Sequence, residues 1–284
     1  MGRLVSQQAL RRQAALDTWL EQRGSVLVAF SGGVDSTYLA VRAHSVLGPR
    51  ALCVTADSAS LSSAARDLAA ELARRFGLRH RFVDTQELAD PAYARNAADR
   101  CYHCKSELFR RLLPIAAAEG LSCLAYGLIA DDLADFRPGH RAAVEAGVRF
   151  PLADVGLTKP EVRELSREMG LPTWDMPASP CLASRVAYGT PVTTEVLGRI
   201  ERAEAGLSRL GFREFRVRHV GDDAARVEVA PEELPRLADP SLRQAVERAV
   251  ASAGYSRVVI DPQGYRRGRL NEELPAIQPS AHGS

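Results

Sequence analysis

Long hydrophobic runs are missing from this 284-residue chain, and with them any stretch of the length a bilayer-spanning helix needs. Excess charge of one sign is missing too. The 37 basic and 35 acidic residues leave a formal net charge of +2. That balance argues against a protein that wraps RNA or DNA by bulk electrostatics, although a local basic patch stays open. The first residues, Met1-Gly2-Arg3-Leu4-Val5-Ser6, lack the apolar core of a signal peptide, so the expected location is the cytoplasm. Cysteine is scarce and odd in number, at five, which speaks against a disulfide framework and for metal or thiol chemistry. No lysine stands near Gly32-Gly33, which excludes the phosphate loop of the GxxxxGK type. What the chain does have is 46% hydrophobic residues, enough for a packed core in one large or two modest domains.

The most informative stretch is Ser31-Gly32-Gly33-Val34-Asp35-Ser36. It follows the apolar run 25–30, which predicts a buried strand, and precedes a run from Thr37 that predicts a helix. Strand, Gly-rich turn and helix make a phosphate-binding arrangement: the glycines let backbone N–H groups approach an anion, and the helix N-terminus adds positive potential. Ser31 and Ser36 supply hydroxyls. Asp35 would repel a bare phosphate, so its expected role is to hold a magnesium ion.

The pattern then alternates. Strands are expected at 51–56, 80–84 and 122–126, with helices at 7–23, 61–76, 105–119 and 159–169, the last capped by Thr158. This predicts an α/β fold with a parallel sheet. Asp57 and Ser58 fall where a strand end opens onto the ligand crevice of such a sheet. Asp131 and Asp132 begin a charged loop after Gly127; they read either as magnesium or ribose ligands or as a helix cap beside a solvated acid. Beyond a Pro-rich stretch the pattern changes to a helix from Thr193, strands at 213–219 and 225–229, one helical stretch at 231–251 and a last strand at 255–260. That predicts a smaller α+β domain, with the boundary between 1–176 and 177–284.

Cys101-Tyr102-His103-Cys104 is a CxxC placed just before the helix at 105, and Cys181 lies in the Pro-rich loop. Cys53 and Cys123 fall inside predicted strands and read as small core residues. Three loop thiolates suit a 4Fe-4S cluster held by three of its irons, the fourth being open to an extra sulfide. Zinc, with Cys101, Cys104, Cys181 and His103, is the structural alternative, and Cys181 acting as a lone nucleophile is the third.

Ser31 to Ser36 resembles the PP-loop of the ATP pyrophosphatases, which split ATP into AMP and pyrophosphate. Taken with Arg100 to Lys105, Asp131 to Gly139, Pro151-Leu152, Cys181 to Arg185, Tyr188-Gly189, Arg216 to His219 and Gly264 to Arg266, the chain resembles the LarE family of ATP-dependent sulfur transferases. The resemblance implies a PP-loop domain that adenylates a carboxylate of pyridinium biscarboxylic acid mononucleotide and converts it to a thiocarboxylate in nickel-pincer nucleotide biosynthesis. One branch of the family sacrifices the sulfur of the cysteine matching Cys181. Another carries the extra CxxC and a cluster, and Cys101 and Cys104 place this chain with it. ATP is bound through Ser31, Gly32, Gly33, Asp35, Ser36, Asp57, Ser58 and Asp131 in this reading, with Asp35 and Cys181 catalytic and a homo-oligomer and a separate sulfur donor expected. The chain departs from the family at Leu128-Ile129, where members often carry Thr-Asn.

The substrate so implied carries a phosphate and carboxylates and needs fixed cations. Arg216 and Arg218 alternate with Phe215 and Val217, so they share a strand face opposite the apolar one and suit bidentate phosphate binding. Arg185 and Arg266 are further candidates. Two other readings accompany this one: a PP-loop tRNA thiolase, and a non-catalytic adenine-nucleotide sensor.

Overall fold

The computed structural model describes residues 5–133, 138–178 and 180–266. They divide into two compact units, 1–87 with 101–179, and 88–100 with 180–284. The helices, in chain order, are α1 (Gln7–Arg23), α2 (Val34–Leu47), α3 (Ser63–Arg75), α4 (Pro91–Ala94), α5 (Arg100–Ala118), α6 (Pro138–Glu145), α7 (Pro151–Asp154), α8 (Lys159–Glu168), α9 (Thr194–Arg209) and α10 (Pro240–Ser252).

In the first unit, β1 (Val26–Ala29) pairs in parallel on one side with β2 (Ala51–Asp57), which carries β3 (Arg79–Asp84) at its outer edge. On its other side β1 pairs in parallel with β4 (Leu124–Tyr126). The period-2 alternation of strands decides which residues meet which layer. Val26, Val28, Ala51, Cys53 and Ala125 face a core with Leu20 of α1, Leu39 of α2, Leu72 of α3 and Leu165 of α8. Leu27, Ala29, Leu52, Val54 and Leu124 face Phe109 and Leu112 of α5 and Ala142 of α6. Both faces are covered, which is why these strands read as continuous apolar runs rather than alternating ones. Among the described residues the sheet order is β3-β2-β1-β4, so the chain leaves β1 in one direction and returns β4 on the opposite side. The carboxyl ends of β1 and β4 therefore flank a topological switch point, where open parallel sheets bind ligands.

The second unit holds β5 (Phe215–Val220), β6 (Ala224–Val229) and β7 (Arg257–Ile260), with β5 and β6 antiparallel and β6 and β7 parallel. One face, with Val217, Ala225, Val227 and Val229, packs on Ala203 and Leu207 of α9 and Val246 and Val250 of α10. The other carries Arg216, Arg218 and Glu228.

The structure departs from the sequence reading in several places. The helix expected from 105 starts at Arg100, so the CxxC lies in its first turns rather than ahead of it. The single helix expected at 231–251 is a 3-10 stretch, Pro231–Ala238, followed by α10, because Pro235 and Pro240 each deny an amide to the helical ladder. Cys123 precedes β4 by one residue and is half-buried, whereas Cys53 is buried inside β2 and its thiol is pushed up to about 12 by burial. Residues 88–100 group with the second unit, where the expected boundary left them in the first. Asn96 explains this. Its side-chain amide donates to the carbonyls of Ala187 at 2.8 Å and Thr190 at 2.9 Å.

Candidate functional site

The turn after β1 is built as its composition requires. Gly32 has φ of 73°, a left-handed conformation that favours glycine. Ser36 Oγ accepts from the Ser31 amide at 3.2 Å and lies 3.0 Å from Ser31 Oγ, which closes the cradle over the start of α2. Gly127, immediately after β4, lies against it: a Cβ there would meet Ser36 N at 3.1 Å and Asp35 C at 3.3 Å. The end of β4 thus touches the first turn of α2, and the switch point becomes one continuous backbone surface.

Asp35, in that first turn, does not face solvent alone. Lys159 Nζ donates to its two carboxylate oxygens at 2.7 and 2.6 Å. Burial raises the Asp35 carboxyl above its ordinary range; Lys159, and more weakly Arg163, pull it back, while Asp132 pushes it up. The sequence reading has Lys159 only as the start of a helix, and a signal for a site role exists. Only two of the 37 basic residues are lysine, Lys105 and Lys159. Lys105 Nζ lies 4.9 Å from the centroid of Tyr126, the last residue of β4. Both lysines of an arginine-dominated chain therefore stand by the carboxyl ends of the central strands.

Three expected nucleotide ligands have local duties. Asp57 is paired with Arg66 Nε at 2.7 Å. The Ser58 hydroxyl accepts from the Ser60 amide at 3.2 Å. Asp131 accepts from the Lys159 amide at 2.5 Å, at the start of α8 beside its Thr158 cap. Leu128 and Ile129, where the family pattern has polar residues, are buried at 6% and 3% exposure and serve the core. Residues 134–137 of the charged loop lie outside the described residues.

In the second unit, Arg216 and Arg218 do share a face opposite the apolar one, yet that face is buried rather than solvated. Arg218 donates to Glu228 Oε2 at 3.0 Å and to the Ser184 carbonyl at 3.0 Å. Arg185 grips Glu204 with two bonds, 2.9 and 3.0 Å, and donates to the carbonyls of Pro180 at 2.5 Å and Cys181 at 3.1 Å. The Arg216 guanidinium lies 4.7 Å from the Tyr265 ring centroid, and burial followed by the nearby Arg185 charge lowers its proton affinity. Arg266 is exposed. Arg185 and Arg218 thus lie near Arg216 beside the Cys181 turn, each already paired with a carboxylate, Glu204 and Glu228.

Cys101 and Cys181 are exposed, Cys104 is half-buried, and none is in a disulfide. Cys101 and Cys104 are three apart on α5, neighbours on one helix face. Soft thiolates of this kind fit an iron–sulfur cluster or zinc by donor chemistry. Among the described residues, no group of three His, Cys, Asp or Glu side chains is gathered as a metal site. No helix among them is long and apolar enough to cross a membrane.

Residues 8–114 match the asparagine synthase family model, which covers the Gly-rich turn and most of the parallel sheet. An uncharacterized protein of Synechocystis is 45% identical over 249 residues, covering 87% of this chain and 92% of that protein. A pyridinium-3,5-bisthiocarboxylic acid mononucleotide synthase of Lactiplantibacillus plantarum is 36% identical over 269 residues, covering 94% of this chain and 96% of the synthase. The chain belongs to the LarE family. A component of the glutamine-hydrolyzing GMP synthase of Methanopyrus kandleri is 32% identical over 164 residues, 51% of this chain and 50% of that protein. As a LarE-family member with a PP-loop domain of mixed α/β architecture, the chain is an ATP-using enzyme.

Proposed function

We propose that this LarE-family chain adenylates a carboxylate of pyridinium biscarboxylic acid mononucleotide and exchanges the adenylate for sulfur, yielding a thiocarboxylate for nickel-pincer nucleotide biosynthesis. The observation that carries this is the near full-length similarity to the named synthase, 36% identity over 94% of this chain. The carboxylate oxygen attacks the α-phosphorus of ATP, an O–P bond forms, and pyrophosphate leaves. Sulfur then attacks the acyl carbon, a C–S bond forms, and AMP leaves with the bond electrons. Carboxylates are poor electrophiles, so the adenylate is what makes the second step possible.

In this reading Ser31, Gly32, Gly33 and Ser36 cradle the leaving pyrophosphate, and Asp35 holds magnesium with Lys159 keeping the carboxylate ionised. Asp57, Ser58 and Asp131 line the nucleotide. Arg185, Arg216, Arg218 and Arg266 take the substrate phosphate and carboxylates. Cys101, Cys104 and Cys181 would hold a 4Fe-4S cluster, which would supply an extra sulfide as nucleophile. A homo-oligomer in the cytoplasm, reloaded by a separate sulfur donor, completes the proposal.

The test is incubation of anaerobically purified protein with ATP, magnesium and the pyridinium nucleotide. AMP, pyrophosphate and a product that has exchanged oxygen for sulfur are expected, together with iron and sulfide that are lost in Cys101→Ser. AMP formation without a sulfur-containing product overturns the transferase reading. A colourless protein holding only zinc overturns the cluster.

A further inference from the structure

The loop that bears Cys181 is held by a segment distant in sequence. Asn96 is fully buried and, with φ of 58°, is the one described non-glycine residue in the left-handed region. Such a conformation is tolerated by Asn and persists only where the surroundings over-determine it. Here they do. Its side-chain amide donates to the carbonyls of Ala187 and Thr190, with a longer contact to Val186 at 3.4 Å. Its own carbonyl accepts from the Gly189 amide at 3.0 Å, and the Ala94 carbonyl accepts from the Val192 amide at 2.8 Å. Its side-chain oxygen accepts from Arg100. Arg100, buried at 3% exposure, donates from the same Nη1 to the Ala183 carbonyl at 2.8 Å, and its guanidinium lies 5.8 Å from the Tyr188 ring centroid. Ala183 belongs to the 3-10 turn Leu182–Arg185 that Cys181 caps. Arg100 is the residue before Cys101 in the sequence.

We propose that Asn96 and Arg100 are positioning residues for Cys181, fixing the turn that presents its thiol and tying that turn through one side chain to the residue before the CxxC. This rests on the reading of Cys181 as a thiol that carries or ligates sulfur. A buried guanidinium suits this role, because it is planar, always charged, and bonds an amide oxygen and a backbone carbonyl at once. A neutral amide at 96 is equally specific, because its NH2 faces carbonyl oxygens and its oxygen faces a cation, so Asp of the same shape reverses the match toward the carbonyls.

The test uses full-length Arg100→Met, Arg100→Lys and Asn96→Asp. Hydrogen exchange is followed in peptides spanning 182–192, and alkylation of Cys181 by iodoacetamide is followed in reduced, cluster-free protein. Exchange about tenfold faster is expected in R100M and N96D, the weight of one hydrogen bond to a charged group, with the Cys181 alkylation rate shifted in the same variants and R100K intermediate. In turnover, sulfur transfer falls about tenfold to a hundredfold, the cost of misplacing a reacting group, while pyrophosphate–ATP exchange keeps its wild-type KM for ATP. Wild-type exchange and alkylation in R100M and N96D overturn the proposal. So does an R100M that unfolds globally while R100K and N96D match wild type in both readouts, which marks a purely structural role. If wild-type protein makes no sulfur-containing product, the proposed function fails, and the exchange and alkylation readouts still decide this one.

Discussion

Replacing Lys159 by Met separates the two things the Lys159–Asp35 pair does. The ammonium makes two short bonds to one carboxylate, 2.6 and 2.7 Å, with the lysine side chain 36% exposed and the aspartate 21%. Solvent screens a pair of that exposure, so its loss costs at most about 1 kcal/mol of stability. Activity responds more. A hydrogen bond to a charged group is worth about 1.5–3 kcal/mol, and about 2 kcal/mol corresponds to roughly thirtyfold in kcat/KM for ATP. The pH profile carries a second signature. Asp35 is raised by burial and lowered by Lys159, so the variant moves the acid limb of ATP consumption to higher pH. The linkage sign follows from the same balance. A carboxyl whose folded pKa lies above its unfolded value binds more protons folded, so stability falls as pH rises through that window and the ionised group costs stability at neutral pH. Asp35→Asn therefore raises the melting temperature of the ligand-free protein while abolishing ATP consumption. Pyrophosphate release across pH, with calorimetry on both variants, checks this. A K159M enzyme with wild-type turnover and an unmoved acid limb refutes the reasoning.

Other substitutions test the rest. Gly127→Ala drives a methyl against the backbone of Asp35 and Ser36, with an expected cost of about 1–3 kcal/mol from overpacking and a raised KM for ATP; a variant with normal melting and normal KM removes the close approach from the site. Glu228, fully buried, accepts from Arg218 and Arg226; Glu228→Leu takes the carboxylate away from the buried Arg218 guanidinium and costs about 3–5 kcal/mol, read by urea denaturation. His219 and His80 are both shifted down by burial, so they stay neutral in the fold. The unfolded chain binds those protons first, near pH 6.5, so stability is full above that value and is lost as pH falls through it. His219→Phe flattens the slope of the urea midpoint between about pH 7.5 and about pH 5.5; an unchanged slope contradicts the assignment.

The parts of the molecule legible in the sequence are those fixed locally. The Gly-rich turn, the apolar strands of the parallel sheet and the Thr158 cap of α8 each follow from a few adjacent residues. Lys159 is hidden because its partner lies 124 positions away, and only the rarity of lysine marks it. The arginine face of β5 is legible as a face but not as a buried one: period-2 spacing assigns sides, and what covers a side comes from the Cys181 turn in another part of the chain. Asn96 is invisible for a similar reason, since its role lies in the carbonyls of residues 186–190. The early start of α5 escapes a local reading because Cys, Tyr and His are weak helix formers and tertiary packing overrides them.

The near-absence of lysine has a chemical corollary. The proposed reaction creates an activated acyl group to which an enzyme's own amines are exposed, and a guanidinium is a far poorer nucleophile than a free amine. Among its 37 basic residues this chain carries lysine only at 105 and 159, and both carboxylate oxygens of Asp35 hold the Lys159 ammonium, at 2.7 and 2.6 Å. Mild treatment with an acylating reagent should therefore modify few side-chain amines, and each added mass at Lys159 would report a molecule in which its pair with Asp35 had opened.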